Sequence, residues 1–164
     1  WPSRGSTLAA RTSSPTNETV LDTAGLDWIP LETGQAFKPI SMPDEGPRQL
    51  LLRVQPGTVV GLHRHHGDVH SFTISGARVL LDPAGHVDVR AGAYVYGPAG
   101  TGDSWRAVGD EPCVVHISID GPMDTLDPEG DVTSSTGTPE LRRIYLEWCA
   151  ASGVTPAPML VGVR

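Results

Sequence analysis

Hydrophobic and polar residues alternate along most of the chain in short segments that are separated by glycine and proline. Alternation with a period of two predicts β-strands with one buried face. The 19 Gly and 15 Pro residues are spread along the chain, which is typical of many short strands joined by turns. We predict strands at 27–30, 37–40, 49–54, 58–62, 69–75, 78–81, 86–90, 94–96, 104–108 and 113–119. A strand about every ten residues predicts an all-β sandwich or barrel.

A helical pattern occurs only near the end of the chain, at about 139–152. Thr138 is a suitable N-cap, Pro139 fits the first helical position and Glu140 favours the positive end of the helix dipole. Gly153 suits the position after the helix. An apolar stripe is formed by Leu141, Ile144, Tyr145 and Trp148. We interpret this stripe as a packing face against the sheet or a subunit contact.

The length of 164 residues predicts one domain. Residues 1–22 lack apolar periodicity and are predicted to form a flexible N-terminal arm, with a single domain over 23–164. The sequence shows no apolar signal segment, and its two cysteines form no disulfide framework, so we expect a cytoplasmic protein.

The formal net charge is −7, and no apolar run approaches the roughly 20 residues that span a bilayer. We therefore expect neither nucleic acid nor a membrane as a partner, because both call for clustered Lys and Arg.

The segment 57–76 contains the strongest chemical signal. His63 and His65 are two positions apart in a β-rich context, so a strand directs both imidazoles to the same side. Imidazole binds Fe, Zn, Cu and Ni, and two such ligands are half of a metal site.

Two glycine-bounded motifs together resemble the cupin superfamily. The first has the form Gly-x5-His-x-His-x4-[His70]-x5-Gly, and the second has Gly-x5-Pro-x-Gly-x2-[Asp103]. Cupins usually have Glu at the place of His70 and His at the place of Asp103. The resemblance implies an all-β cupin jelly-roll barrel, with metal ligands that converge inside it.

A narrower resemblance is to 2,4'-dihydroxyacetophenone dioxygenase-like small cupins. It rests on Trp28-Ile-Pro-Leu, Leu51-Leu-Arg-Val-Gln-Pro-Gly, His63-Arg-His-His-Gly, Val69-His-Ser-Phe, Val115-His-Ile and Asp127-Pro-Glu-Gly. That family resemblance implies non-heme Fe(II), O2 and cleavage of a carbon–carbon bond beside a ketone. In that family the Glu of the first cupin motif is already absent, so the resemblance implies that His70 does not depart from the family pattern.

Asp103 departs from the family pattern, and two interpretations follow. Either Asp103 is a ligand and completes a two-His-one-carboxylate set with His63 and His65, or it does not reach the metal and the iron chemistry is lost or changed. We favour the first. His70 is then either a further ligand or a residue that supports one.

His70 and His116 are the candidate catalytic residues, and we expect them to tune the metal or to transfer protons. A histidine in an apolar strand, as His116 is, can equally be a satisfied core residue. Lower-ranked candidates are Tyr94, Tyr96 and Trp105 for packing or substrate contact, Arg53 and Arg78 for orienting substrate, and Asp68 for orienting an imidazole. His66 and His86 are expected outside the barrel.

The leading hypothesis is an Fe(II)-dependent dioxygenase that uses O2 on a small ketone or phenolic ketone. The alternatives are a non-oxidative isomerase, cyclase or lyase with Zn2+ or Ni2+, and a ligand-binding protein without catalysis. We expect a homodimer or higher homo-oligomer, because cupins commonly pair through sheet edges and terminal arms.

Overall fold

The computed structural model describes residues 12–13, 18–157 and 160. It contains two six-stranded antiparallel sheets that face each other. The first sheet has the order β10 (Tyr94–Gly97), β7 (Val69–Ser75), β12 (Cys113–Ile119), β5 (Arg48–Val54), β4 (Gln35–Ser41), β3 (Ile29–Pro30). The second has the order β14 (Val132–Thr136), β13 (Met123–Leu126), β6 (Val59–His65), β11 (Gly102–Val108), β8 (Ala77–Leu80), β9 (Val87–Arg90). A separate pair joins β1 (Thr12–Ser13) to β2 (Thr19–Val20).

Alternating burial explains why these segments form a two-layer structure. Every second residue of β5 and of β12 is buried, and the two strands are neighbours in the first sheet. The buried residues of both sheets meet in one core, which includes Phe37, Val54 and Val115, each 0% exposed. The period-two pattern in the sequence therefore corresponds to one buried face for each sheet.

Each of the ten predicted strands overlaps an observed one, but four strands were missed: β1 and β2, within the segment predicted as an arm, and β13 and β14. β13 and β14 form a hairpin, and a turn at 127–130 connects them. Asp127 closes this turn by accepting hydrogen bonds from the backbone of Glu129 and Asp131 through Oδ1. Buried and exposed residues do not alternate regularly in either strand: β13 has one buried residue, and β14 is exposed along most of its length. For this reason the sequence did not reveal them.

The predicted helix is present as α1 (Thr138–Ser152), but the prediction of Thr138 as its N-cap was wrong. Gly137 is the N-cap, Thr138 is already helical, and the Glu140 carboxylate accepts a hydrogen bond of 2.7 Å from the Gly137 backbone N–H. Gly137 has no side chain to accept a bond from the first helical N–H groups, so the side-chain bond at this end is the one that Glu140 accepts from the Gly137 N–H. Gly153 ends the helix with φ of 67°, as predicted.

The helix packs against the core and contributes to the lining of the cavity between the sheets. Leu141 and Tyr145 are buried in the core, and Ile144 packs against it, so the apolar stripe is a packing face.

Most of the predicted arm at 1–22 lies outside the described residues, and the arm and the domain boundary stay predictions. Over the described part of the chain, no helix has the length and apolar character needed to cross a bilayer.

Candidate metal centre

β6 directs two histidines into the space between the sheets. His63 and His65 are 6% and 5% exposed. Between Val60 and His63, β6 advances three residues while its partner β11 advances two, from Trp105 to Asp103. This irregularity is a β-bulge, which changes the face on which residues lie. Because of it, Val60 and both histidines line the same cavity.

Asp103 lies directly opposite His63 in the pairing of β11 with β6. Its Oδ1 is 2.7 Å from His63 Nε2. The ligand atoms of His63, His65 and Asp103 all lie within 4.8 Å of one another, and no other metal-binding group of this kind occurs among the described residues. The cross-strand register therefore brings Asp103 to the two histidines, as the first interpretation of this residue requires.

The hydrogen bonds of these residues fit a bound cation. His63 Nδ1 is 2.7 Å from the Gly61 carbonyl oxygen, which can only accept, so Nδ1 carries the proton and a neutral ring has its lone pair on Nε2. That lone pair lies beside Asp103 Oδ1, which is buried without a hydrogen-bond partner. Two such atoms at 2.7 Å repel each other unless a proton or a metal ion lies between them. His65 Nδ1 is also buried without a partner.

The local electrostatics keep two of the three side chains in the forms that bind metals. Burial and the neighbouring His63 lower the pKa of His65 to about 4. Burial acts to raise the pKa of Asp103, but the adjacent His63 and other cationic groups outweigh it, so this pKa is lowered. Burial acts to lower the pKa of His63, and the Asp103 carboxylate outweighs it, so this pKa is raised. At neutral pH, His65 is neutral and Asp103 is ionised, as metal ligation requires.

The three side chains line a cavity of about 510 Å³ between the sheets. Its walls are mainly apolar and include Leu50, Leu52 and Ile117, with Leu141 from the helix. A largely apolar cavity of this size with a few convergent polar groups is typical of small-molecule sites. Trp105, which we had considered for the pocket or the core, belongs to both, since it is 3% exposed and lines the cavity.

The prediction that His70 lies at the metal is not supported by its position. Val69 and Ser71 line the cavity, so the side chain between them projects from the opposite face of β7. His70 is exposed there, and its Nδ1 is 2.6 Å from the Tyr94 hydroxyl. Its ring also stacks on Tyr96, with a centroid distance of 5.1 Å. His70 is therefore on the outer surface, away from His63 and His65.

His116 is also on the outer face, for the same reason. Its neighbours Val115 and Ile117 are buried in the core, and His116 alternates with them on β12. It is half-buried, and its cross-strand neighbours are Leu51 and Phe72. The role proposed for His116 near the cavity is therefore not supported by its placement.

Of the lower-ranked candidates, only Trp105 and Arg78 line the cavity. Tyr94 and Tyr96 are 59% and 49% exposed, outside the cavity. Arg53 lies over the Trp28 ring, with Cζ 4.5 Å from the centroid. Asp68 accepts a hydrogen bond from the Ala99 backbone and holds a loop rather than an imidazole.

His66 and His86, which were predicted to lie outside the barrel, are on the outside of the structure. His66 Nε2 is 2.7 Å from Asp124 Oδ2 and is half-exposed, and His86 is exposed.

Sequence reasoning missed Arg48 and ranked Arg78 low, yet both are buried and line the cavity. A signal was present for Arg48, because it alternates in phase with Leu50, Leu52 and Val54, the buried side of β5. A charged residue in phase with a buried apolar face indicates a buried charge.

Comparison with known proteins agrees with this fold. The model of the ChrR cupin-like domain family matches residues 16–119. No curated protein sequence matches the chain. An RmlC-like cupin protein from Ralstonia eutropha JMP134 superimposes with a TM-score of 0.76 at 22% identity, over 84% of this chain and 90% of its own.

A dioxygenase and a predicted decarboxylase are among the similar structures. An acetylacetone dioxygenase from Acinetobacter johnsonii has a TM-score of 0.65 at 18% identity, over 73% of this chain and 85% of its own. A predicted oxalate decarboxylase from Thermotoga maritima has a TM-score of 0.53 at 20% identity, over 62% of this chain and 97% of its own. At these identities the likeness concerns the fold, and it confirms the predicted jelly roll with a short C-terminal helix.

Proposed function

The chain belongs to the ChrR cupin-like domain family, and from that premise we propose that it is a metal-dependent cupin enzyme. His63, His65 and Asp103 would hold Fe(II), and the enzyme would use O2 to cleave a carbon–carbon bond of a small enolisable ketone. The observation that carries the proposal is the convergence of these three side chains inside an apolar cavity.

Two neutral imidazoles and one carboxylate are a common ligand set for Fe(II) in oxygenases, and they leave coordination positions open. When bound, the metal would supply Lewis acidity towards the ketone oxygens and redox chemistry with O2. The similarity to an acetylacetone dioxygenase supports the proposal only at the level of fold.

The residues of the chain have three roles in this proposal. The Gly61 carbonyl fixes the His63 tautomer, so that Nε2 faces the ligand set. The apolar walls exclude water, which strengthens electrostatic interactions with a bound enolate. The lowered pKa of Asp103 keeps this carboxylate ionised under working conditions. In the overall reaction, a 1,3-diketone and O2 would give one carboxylic acid and one 2-oxoaldehyde, with both oxygen atoms retained in the products.

A non-oxidative reaction is the second candidate, because the ligand set with Asp103 is not restricted to iron. A carboxylate in place of the family's usual histidine leaves a ligand set that also suits Zn2+. With such a metal, the same cavity would polarise a carbonyl for isomerisation, cyclisation or elimination.

Oxygen consumption separates the two candidates. Metal-free protein is loaded anaerobically with Fe(II) or with Zn2+, mixed with a panel of diketones and oxo acids, and followed with an oxygen electrode and mass spectrometry. The proposal predicts one O2 consumed for each substrate cleaved with Fe(II), and none with Zn2+.

His63→Gln should abolish this consumption. The matched control, His86→Gln, changes an exposed histidine and should retain it. Conversion of substrate without loss of O2 would replace the oxygenase with the non-oxidative enzyme.

A further inference from the structure

Two arginines are buried in the walls of the cavity. Arg48 begins β5 in the first sheet and is 2% exposed, and Arg78 lies on β8 in the second sheet and is 4% exposed. Both line the cavity that contains the metal ligands. Arg48 belongs to the first sheet, and the Arg78 guanidinium reaches from the second sheet to Ser71 on β7 of the first.

The protein satisfies these guanidinium groups only in part. Arg48 donates one hydrogen bond of 2.5 Å to the Gly121 carbonyl, and Arg78 donates one of 2.8 Å to Ser71 Oγ. The Nε atoms of both are buried without a partner. Among the described residues, neither arginine forms a salt bridge. Arg78 also lies over the Trp105 ring, with Cζ 4.9 Å from the centroid.

A guanidinium group out of water and without a partner is costly, so buried arginines are normally paired with anions. The carboxylates that influence Arg48 are Glu140 and Asp120, both of which are exposed. The one that influences Arg78 is Asp103, which the metal would share. With a divalent ion bound, two guanidinium charges and two metal charges face two carboxylates that line the cavity, Asp103 and the exposed Glu32, which leaves two positive charges.

We infer that the substrate is an organic anion, a small enolisable oxo-carboxylate with an apolar side chain, whose carboxylate is bound by Arg48 and Arg78. The inference rests on the proposed function, because it assigns the substrate class of the same site. The oxo group would face the metal ligands, and the side chain would contact the apolar walls. A carboxylate and an enolate oxygen would together neutralise the two positive charges. Guanidinium groups suit a carboxylate because their planar donors match its two oxygens.

Calorimetric binding tests this inference without any turnover. The probes are 4-methyl-2-oxopentanoate and its methyl ester, which have nearly the same shape but differ by one negative charge. Each is titrated into metal-free protein and into Zn2+-loaded protein. We expect the acid to bind at least tenfold more tightly than the ester in both forms, since hydrogen bonds to charged groups are the stronger ones.

Substitution of the arginines identifies the groups responsible. Arg48→Gln and Arg78→Gln should each weaken binding of the acid at least tenfold and leave binding of the ester within about twofold, because only the acid pairs with a guanidinium. Arg106→Gln removes an exposed charge on β11 and should change neither. Should either glutamine variant fail to fold, Arg48→Lys and Arg78→Lys keep the positive charge, and each should retain preference for the acid.

Equal binding of acid and ester by the unchanged protein would overturn the inference, and so would failure of the acid to bind at millimolar concentration. The same holds if the acid keeps full affinity in both glutamine variants. Because Zn2+ and metal-free protein do not react with O2, these outcomes are independent of the oxygen measurement. A protein that prefers the acid but consumes no O2 would contradict only the oxidative part of the proposed function.

Discussion

Replacement of Asp103 by Asn gives the most direct test of the ligand set, because it removes charge and changes little in shape. Asp103 supplies the only anionic member of the three converging side chains. The hypothesis predicts that Asp103→Asn weakens divalent metal binding by about 100-fold or more, since loss of residues that only support a ligand already costs about 10–100-fold.

The expected loss of metal affinity can be expressed as a change in the melting temperature of the protein. A ligand at 100 times its dissociation constant stabilises the folded state by about 2.7 kcal/mol. For a protein of this length, about 2–4 °C per kcal/mol converts this to a rise of about 5–11 °C. At the same metal concentration, a 100-fold weaker site contributes only about 0.4 kcal/mol, or roughly 1 °C.

The assay is thermal unfolding of metal-free protein with and without Zn2+ at a fixed free concentration. Each variant serves as its own reference, so that any change in its intrinsic stability cancels. Asp88→Asn is the matched control, because Asp88 is exposed on β9 and should leave the full rise intact. An equal rise for Asp103→Asn and the unchanged protein would refute the assignment of Asp103 as a ligand.

Three further predictions concern stability. The pKa of His65 is lowered to about 4 from 6.5, so the unfolded chain binds more protons between these values, and this group makes the metal-free protein less stable as pH falls from 6.5 to 4. His65→Gln should therefore show a smaller loss across this range in urea titrations, and an unchanged slope would count against the shift. Gly76 and Gly109 both have positive φ, but a Cβ at Gly76 would lie 2.5 Å from a backbone oxygen, whereas Gly109 has open space around it. Gly109→Ala should cost about 1–2 kcal/mol, and Gly76→Ala at least about 3 kcal/mol; equal costs would show that the backbone relaxes. Glu140→Ala should lower stability by about 0.5–1 kcal/mol through loss of the bond to the Gly137 N–H, measured by the same titration, and Glu147→Ala, farther along the helix, should cost less.

The sequence by itself determined ten of the strands and the shared direction of the two histidines. Alternation in segments such as β5 and β12 follows from burial of one face, which each strand expresses in its own residues. The pair His63 and His65 is local to one strand, so its shared direction follows from the pleat alone. The spacing from His63 to Asp103 was recognisable only through the resemblance to a family, since no local rule joins two strands 40 residues apart.

Only the tertiary structure decided which other residues reach the site. His70 lies beyond a turn, and the phase of β7 relative to β6 is set by that turn and by pairing with β12, so its side chain projects outward. The inward direction of Val60 depends on a bulge against β11, which breaks the period of two. Arg48 and Arg78 face one cavity because two sheets pack face to face. These relations depend on register and layer packing, which involve residues far apart in the chain, and for that reason local sequence patterns do not specify them.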